Sequence, residues 1–432
     1  MSNSDTRRVF SVDVGNLSHE QAAELVENVK VKFKTAGSDV SGAGNIGTYT
    51  AKHDREVTLD VYIGRFSPFH LGHANVVSRM IEKYDYALII IGSSNQPRTT
   101  KNPFTFAERR KMILEWAIDK YGPEVEEKLF FKEGIDVPYN DNLWIKGIDQ
   151  HVHDVVQAIK CRESAVQPCN DPWLSGVDVK SYLTGSDRDD STYYLKYFPN
   201  LIKDLVIHDD RISKALSATM VREIYFGGFF NGKPIDDVMY ELLLKSFLPT
   251  STWDFLVEFK STEEYYDLKT EFKFIEGYKK AWEAAPYAPI FVTVDSVIIQ
   301  SGHILMVKRR GQPGRGLYAL PGGFLEQKER LFTAALRETK EETRLKVSPA
   351  ALKGSFVKKE IFDMPDRSLR GRTITVAYMF QLPETGELPD VKGSDDAEKA
   401  EWIPLSKIAN MRDQLFEDHF DIIATMVGGG SL

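Results

Sequence analysis

Apolar residues recur along this chain with two different periods, and the switching between them outlines its fold. Residues 57–63 alternate apolar and polar and then meet Gly64, as a strand does where it enters a loop. Helical spacing follows over 73–84, and 86–92 is an unbroken apolar run of the kind buried on both faces of a parallel sheet. Residues 104–121 have a long amphipathic pattern, and further strands are expected at 129–131, 179–183 and 205–207. Strands alternating with helices predict an α/β, doubly wound parallel sheet with its ligands at the carboxyl ends of the strands.

The pattern changes after residue 232. Residues 233–283 read as mostly helical and are rich in aromatics, among them Tyr240, Phe247, Trp253, Phe259 and Tyr265. Ala284-Ala285-Pro286-Tyr287-Ala288-Pro289 breaks the helix and marks a boundary. Beyond it, strand-like runs at 290–299, 304–308 and 373–380 surround one helical stretch at 331–343, an α+β arrangement. Near the start, 9–14 is strand-like, and Ala22, Leu25, Val26 and Val29 have helical spacing. The Gly-, Ser- and Thr-rich stretch 35–48 reads as a linker. Four segments are expected: 1–50 as a small N-terminal extension of unknown role, 56–232 as a first domain, 233–285 as a helical connector, and 286–432 as a second domain.

Composition narrows the function classes. A chain of 432 residues fits two or three domains. A net charge of -8 argues against nucleic-acid binding, which needs basic surface. Cys161 and Cys169 are the only cysteines, which excludes a disulfide framework and a cysteine-based zinc site. The polar N-terminus lacks a signal peptide's apolar stretch, and the apolar runs are too short to span a bilayer. The protein is expected to be cytoplasmic, with no membrane partner; a homo-oligomer is compatible with the sequence.

Two clusters carry chemistry. In Gly64-Arg65-Phe66-Ser67-Pro68-Phe69-His70-Leu71-Gly72-His73, the glycine follows a strand, where backbone can approach a phosphate. His70 and His73 stand three apart at a helix start, so both imidazoles share one side and can donate to phosphate oxygens. The second cluster runs from Gly323 through Glu329 to Arg337, Glu338, Glu341 and Glu342. Its last three carboxylates share one helix face and repel one another. A hard divalent cation, Mg²⁺ or Mn²⁺, would relieve that repulsion. Downstream, Arg367, Arg370 and Arg372 surround a turn suited to a diphosphate or a ribose phosphate.

The first stretch resembles the signature of nucleotidylyltransferases, and Ser217-Ala218-Thr219-Met220-Val221-Arg222 resembles that superfamily's second signature. Asn102-Pro103-Phe104-Thr105-Phe106-Ala107-Glu108-Arg109 and Val137-Pro138-Tyr139, followed by Asn142-Leu143-Trp144, resemble archaeal-type nicotinamide mononucleotide (NMN) adenylyltransferases. The second cluster resembles the Nudix box. The arginine loop, with Asp395-Asp396-Ala397 and Trp402-Ile403-Pro404-Leu405, resembles Nudix domains that hydrolyse ADP-ribose. Over residues 56–432 the order is that of bifunctional NMN adenylyltransferase/ADP-ribose pyrophosphatases.

That resemblance implies a Rossmann-like nucleotidyltransferase domain followed by an α+β Nudix domain, with ATP, NMN and ADP-ribose as substrates. His70, His73 and Arg222 would be catalytic. Gly64, Arg65, Phe66, Arg98, Lys101, Gly185, Asp187, Ser217 and Thr219 would bind ATP, and Trp144 and Asn102 would bind NMN. In the Nudix domain, Glu341 and Glu342 would be catalytic, and Gly323, Glu338, Glu341 and Glu342 would hold metal. Arg337 and Glu329 would brace the box, and the loop arginines would bind ADP-ribose. The general base stays open between Glu341 and Glu398. Thr339 and Arg344 depart from the common box, at helix packing and helix exit. Three alternatives stand beside this reading. The Nudix domain acts on another nucleoside diphosphate such as NADH, or it senses ADP-ribose and regulates the transferase, or the first domain serves another acceptor.

Overall fold

The alternating run 57–63 lies within β1 (Arg55–Gly64), the centre of a five-stranded, wholly parallel sheet. The structure, a computed structural model, describes residues 9–10, 49–50, 55–164, 177–186, 190–206, 216–384 and 386–428. The helix expected around 22–29 lies outside the described residues. Val9–Phe10 pairs with Tyr49–Thr50 as a short antiparallel ladder.

β1 leads through α1 (Leu71–Lys83) to β2 (Tyr86–Ile91), then through α2 (Phe106–Tyr121) to β3 (Leu129–Glu133). The chain then crosses back by α3 (Asp141–Glu163) to β4 (Val177–Ser186) and β5 (Ile202–Val206). The strand order is β3-β2-β1-β4-β5. The direction of winding therefore reverses at β1, and the loop after its carboxyl end is the crevice where doubly wound sheets take ligands. β2 is buried along its whole length. Each of its isoleucines contributes about 1.5–3 kcal/mol by leaving water. Thr105 and Glu108 start α2 with reciprocal side-chain-to-backbone bonds.

A second winding begins with α4 (Ala218–Arg222), whose start is capped by Ser217. Three helices follow: α5 (Asp237–Phe247), α6 (Thr250–Phe259) and α7 (Glu263–Ala281). They are not a free-standing connector. Leu244, Leu256, Phe259, Tyr265 and Leu268 share one core with Val76, Ile89 and Met112.

The remaining chain forms a seven-stranded mixed sheet. β6 (Phe291–Gln300) and β7 (His303–Arg309) form a hairpin; β8 (Tyr318–Ala319) and β9 (Gly322–Phe324) follow. α8 (Leu331–Thr343) packs Ala334 and Ala335 on one face of the sheet. β10 (Phe356–Phe362), β11 (Thr373–Gln381) and β12 (Ala397–Pro404) complete the sheet. α9 (His419–Val427) packs Ile422, Ile423 and Met426 on the other face. β6 runs parallel to β11 and antiparallel to β9, and that register sets Val294 opposite Gly323. No described helix is long and apolar enough to cross a membrane.

Candidate functional site

At the carboxyl end of β1 the structure holds a cavity of about 680 Å³. Gly64, Arg65, Phe66, His70, His73, Lys101, Asn102, Trp144, Ser217, Thr219 and Arg222 all line it, although they come from four separate stretches of chain. His70 caps α1 and is 2% exposed; its ring stacks on that of His73 at 3.7 Å between centroids. Phe66 adopts a left-handed backbone (φ 51°), a conformation costing a non-glycine residue on the order of 1 kcal/mol. Its ring folds back over Gly64, where a Cβ would sit 2.9 Å from it.

Arg222 is nearly buried and donates to the Ser67 carbonyl at 2.7 Å and to Thr219 Oγ1 at 3.2 Å. Burial, with Arg65 nearby, lowers its pKa to about 10, so it remains a cation at neutral pH. Ser217 Oγ accepts from the Met220 amide and so caps α4. Asn102 is buried and donates to the Ser93 carbonyl at 3.0 Å; its Oδ1 accepts no bond among the described residues. Trp144 packs edge-on against Tyr194 at 6.5 Å while facing the cavity.

Two residues expected to contact ATP lie outside this lining. Arg98 does not line the cavity; its guanidinium is spent on Glu108 through bonds of 2.7 and 2.8 Å and on the Pro103 carbonyl. Gly185 does not line it either; a Cβ there would lie 2.6 Å from Leu195, so packing excludes the side chain. Asp187 lies outside the described residues. Lys101 reaches the cavity but is ion-paired with Asp366 of the second domain.

In the second domain Arg337 gathers the box. It binds both oxygens of Glu329, at 2.6 and 3.1 Å, and reaches Glu338 and Glu341 at 2.9 Å each. Glu342 is buried and accepts from the Gly322 amide at 3.0 Å. Burial first, and then the neighbouring Glu338, raise its pKa to about 8. Burial also raises Glu338. A Cβ at Gly323 would lie 2.5 Å from the Glu338 carboxylate, so only glycine leaves that carboxylate its place. Among the described residues no three His, Cys, Asp or Glu side chains form a metal cage, since Glu338 and Glu341 turn to Arg337. The donor set nevertheless fits a hard cation: carboxylate oxygens only, crowded on one face, one of them buried at the cost of its charge. Thr339 is fully buried, and Arg344 ends α8 with a left-handed backbone (φ 47°) in place of glycine.

The three loop arginines have separate partners. Arg367 is buried and bound bidentately to Asp418 at 2.7 and 2.9 Å, because a guanidinium out of water needs a partner. Arg372 donates to the Asp363 carbonyl. Arg370 lies over the Phe324 ring at 4.9 Å, beside the box.

Other residues around the site were given no role in the sequence. Arg109 is fully buried and donates to the carbonyls of Arg65 and Gly92 at 2.7 and 2.6 Å, tying together the loops after β1 and β2. Glu271 of α7 accepts from the amides of Thr100 and Gly314 at 2.8 and 2.9 Å, one in each domain. Burial raises its pKa. Asp295 and His419 lie buried 3.7 Å apart behind β9. Burial lowers the His419 pKa to about 3 and keeps the ring neutral. An acid inside the apolar run of β6 was the one local signal for that pair.

Comparison with known proteins divides along the same lines. The family model described as Cytidylyltransferase-like matches residues 61–224, and the one described as NUDIX domain matches 289–426. A third, Bacteriophage T4-like portal protein (Gp20), matches residues 1–63, most of which lie outside the described residues. The nicotinamide/nicotinic acid mononucleotide adenylyltransferase of Acinetobacter baylyi is 29% identical over 49% of this chain and 92% of its own. The ADP-ribose pyrophosphatase of Methanocaldococcus jannaschii is 36% identical over 30% of this chain and 72% of its own. A crystal structure of a bifunctional NMN adenylyltransferase/ADP ribose pyrophosphatase from Francisella tularensis, complexed with AMP and a Mn ion, superposes with a TM-score of 0.70. It is 30% identical, covering 86% of this chain and 98% of that one. A second Francisella tularensis structure of that protein gives 0.71 at 32% identity.

Proposed function

The chain belongs to the family of bifunctional NMN adenylyltransferase/ADP-ribose pyrophosphatases, and from that premise we propose how its two sites work. The first domain transfers AMP from ATP to NMN, giving NAD and pyrophosphate. The second hydrolyses ADP-ribose to AMP and ribose 5-phosphate. The observation that carries the reading is the convergence of His70, His73, Arg222 and Trp144 on one cavity at the switch point, with a complete Nudix box on the same chain.

Adenylyl transfer needs no protein nucleophile. The 5′-phosphate of NMN attacks the α-phosphorus of ATP in line and pyrophosphate leaves, so catalysis is positioning and neutralisation of charge. His70, His73, Arg65 and Arg222 would meet the triphosphate, with Ser217 and Thr219 at the start of α4. Lys101 would exchange Asp366 for a phosphate oxygen. Trp144 offers an indole face to the cationic nicotinamide ring. The unfilled Oδ1 of Asn102 offers an acceptor for an amide.

In the second domain Glu338, Glu341 and Glu342, with Gly323 beside them, would hold Mg²⁺ or Mn²⁺. The bound cation supplies the positive charge that makes the diphosphate susceptible to water. Arg337 keeps the carboxylates in place, and Arg370 faces the ligand. Two substitutions separate the activities. His73→Ala lowers NAD formation by about 100-fold or more and leaves ADP-ribose hydrolysis intact; Glu342→Gln does the reverse. Wild-type turnover of its own reaction by either variant would overturn the corresponding assignment.

A further inference from the structure

The loop that presents Trp144 to the first site is held in place from the second domain. Val137, Pro138, Asp141 and Trp144 line the cavity, whereas Tyr139, in their midst, does not. Its ring packs edge-on against Phe362 at 5.1 Å, and its hydroxyl donates to Asp418 Oδ2 at 2.5 Å. Asp418 is 6% exposed and is itself fixed by the bidentate bond from Arg367. Two residues before the loop turns, the Asp136 carbonyl accepts from Arg412 Nη2 at 2.6 Å, and the same nitrogen holds Asp421 at 2.8 and 2.9 Å. Both anchors therefore rest on charge-paired groups of the second domain, with Asp418, Arg367 and Asp421 buried and Arg412 half-buried, which do not yield as exposed side chains do.

On the first domain's side the Trp144 ring packs against Tyr194 and Phe198 at 6.5 and 5.9 Å, but among the described residues the Tyr139 end of the loop has no such packing partner there. Asn140 caps α3 by accepting from the Leu143 amide, and Asn95 meets the Asp136 backbone at 3.1 and 3.4 Å. None of these bonds reaches Tyr139. We propose that Tyr139, Asp418 and Arg412 are positioning residues for NMN: the hydrolase domain completes the transferase by fixing the loop 136–144, and with it Trp144, against the nicotinamide ring. Tyr139 and Arg412 do not line the cavity, and the carboxylate of Asp418, which does, is held by Arg367 and Tyr139. The proposal rests on the assignment of Trp144 to NMN given above. It also accounts for a contact between domains whose reactions need no common intermediate.

The test is steady-state kinetics of the full-length chain with Tyr139→Phe, which deletes one hydroxyl and keeps the ring against Phe362. A bond to a buried carboxylate is worth enough to raise KM for NMN about tenfold. The KM for ATP, the kcat and the rate of ADP-ribose hydrolysis stay at wild-type values. Arg412→Lys, which keeps a cation for Asp421 but is one bond too short to bring the same nitrogen to the Asp136 carbonyl as well, moves the same constant in the same direction. An unchanged KM for NMN in Tyr139→Phe overturns the proposal. So does an equal rise in KM for both substrates together with a lower melting temperature, which is the signature of general loosening. Wild-type protein that makes no NAD would instead remove the transferase reading itself.

Discussion

Asp60 lies at the middle of β1 with no solvent exposure, accepting from Thr184 Oγ1 at 2.6 Å and from the Val61 amide at 3.0 Å. Burial outweighs those bonds and raises its pKa to about 7 from 3.8. In that window the folded chain holds a proton that the unfolded chain has lost, so this group makes stability fall as pH rises from 3.8 to about 7. Asp60→Asn cannot ionise and should lose that slope. Urea unfolding at pH 8 should find it more stable than the parent by roughly 1–3 kcal/mol, with little difference at pH 4. Equal slopes in the two proteins would show that Asp60 is ionised at no cost. At this scale the sequence was legible where chemistry is local. The carboxylates of the box follow helix spacing, and the histidine pair sits at a helix start. The ion pairs of Arg98 with Glu108 and of Arg367 with Asp418 were not legible, because nothing local tells a ligand-facing guanidinium from one paired with a distant carboxylate.

Among the elements, strands and amphipathic helices were read closely, since each buries one face or two. α3 was not. Its buried positions Ile148, Val152, Val155 and Ile159 have helical spacing, but Gly147 and the β-branched valines lower its propensity, and tertiary packing decides the outcome. β10 and β12 also went unread; β10 is an edge strand with Phe356, Val357 and Ile361 exposed, so its pattern does not point to one core. Gly185 marks a packing constraint between β4 and the turn carrying Leu195. Gly185→Ala should cost about 1–3 kcal/mol by overpacking, and adding Leu195→Ala should restore most of it. The double variant keeps the parent's KM for ATP. A KM that stays raised after stability is restored would return Gly185 to the nucleotide site.

For the whole molecule, two chemistries are carried by two sheets that share a wall. The cavity at β1 takes part of its lining from Asp366, Arg367, Glu417 and Asp418, and Glu271 binds an amide from each side. These contacts join residues far apart in sequence, so no periodicity or motif announces them; the domains and their chemistry were legible, their joint was not. One chain both makes and breaks dinucleotide-type linkages, at separate centres. Chromatographic analysis of a single purified sample, given Mg²⁺, ATP, NMN and ADP-ribose, tests it most directly. NAD and pyrophosphate should form from ATP and NMN, and AMP with ribose 5-phosphate from ADP-ribose. ADP-ribose left intact while NAD accumulates would contradict it.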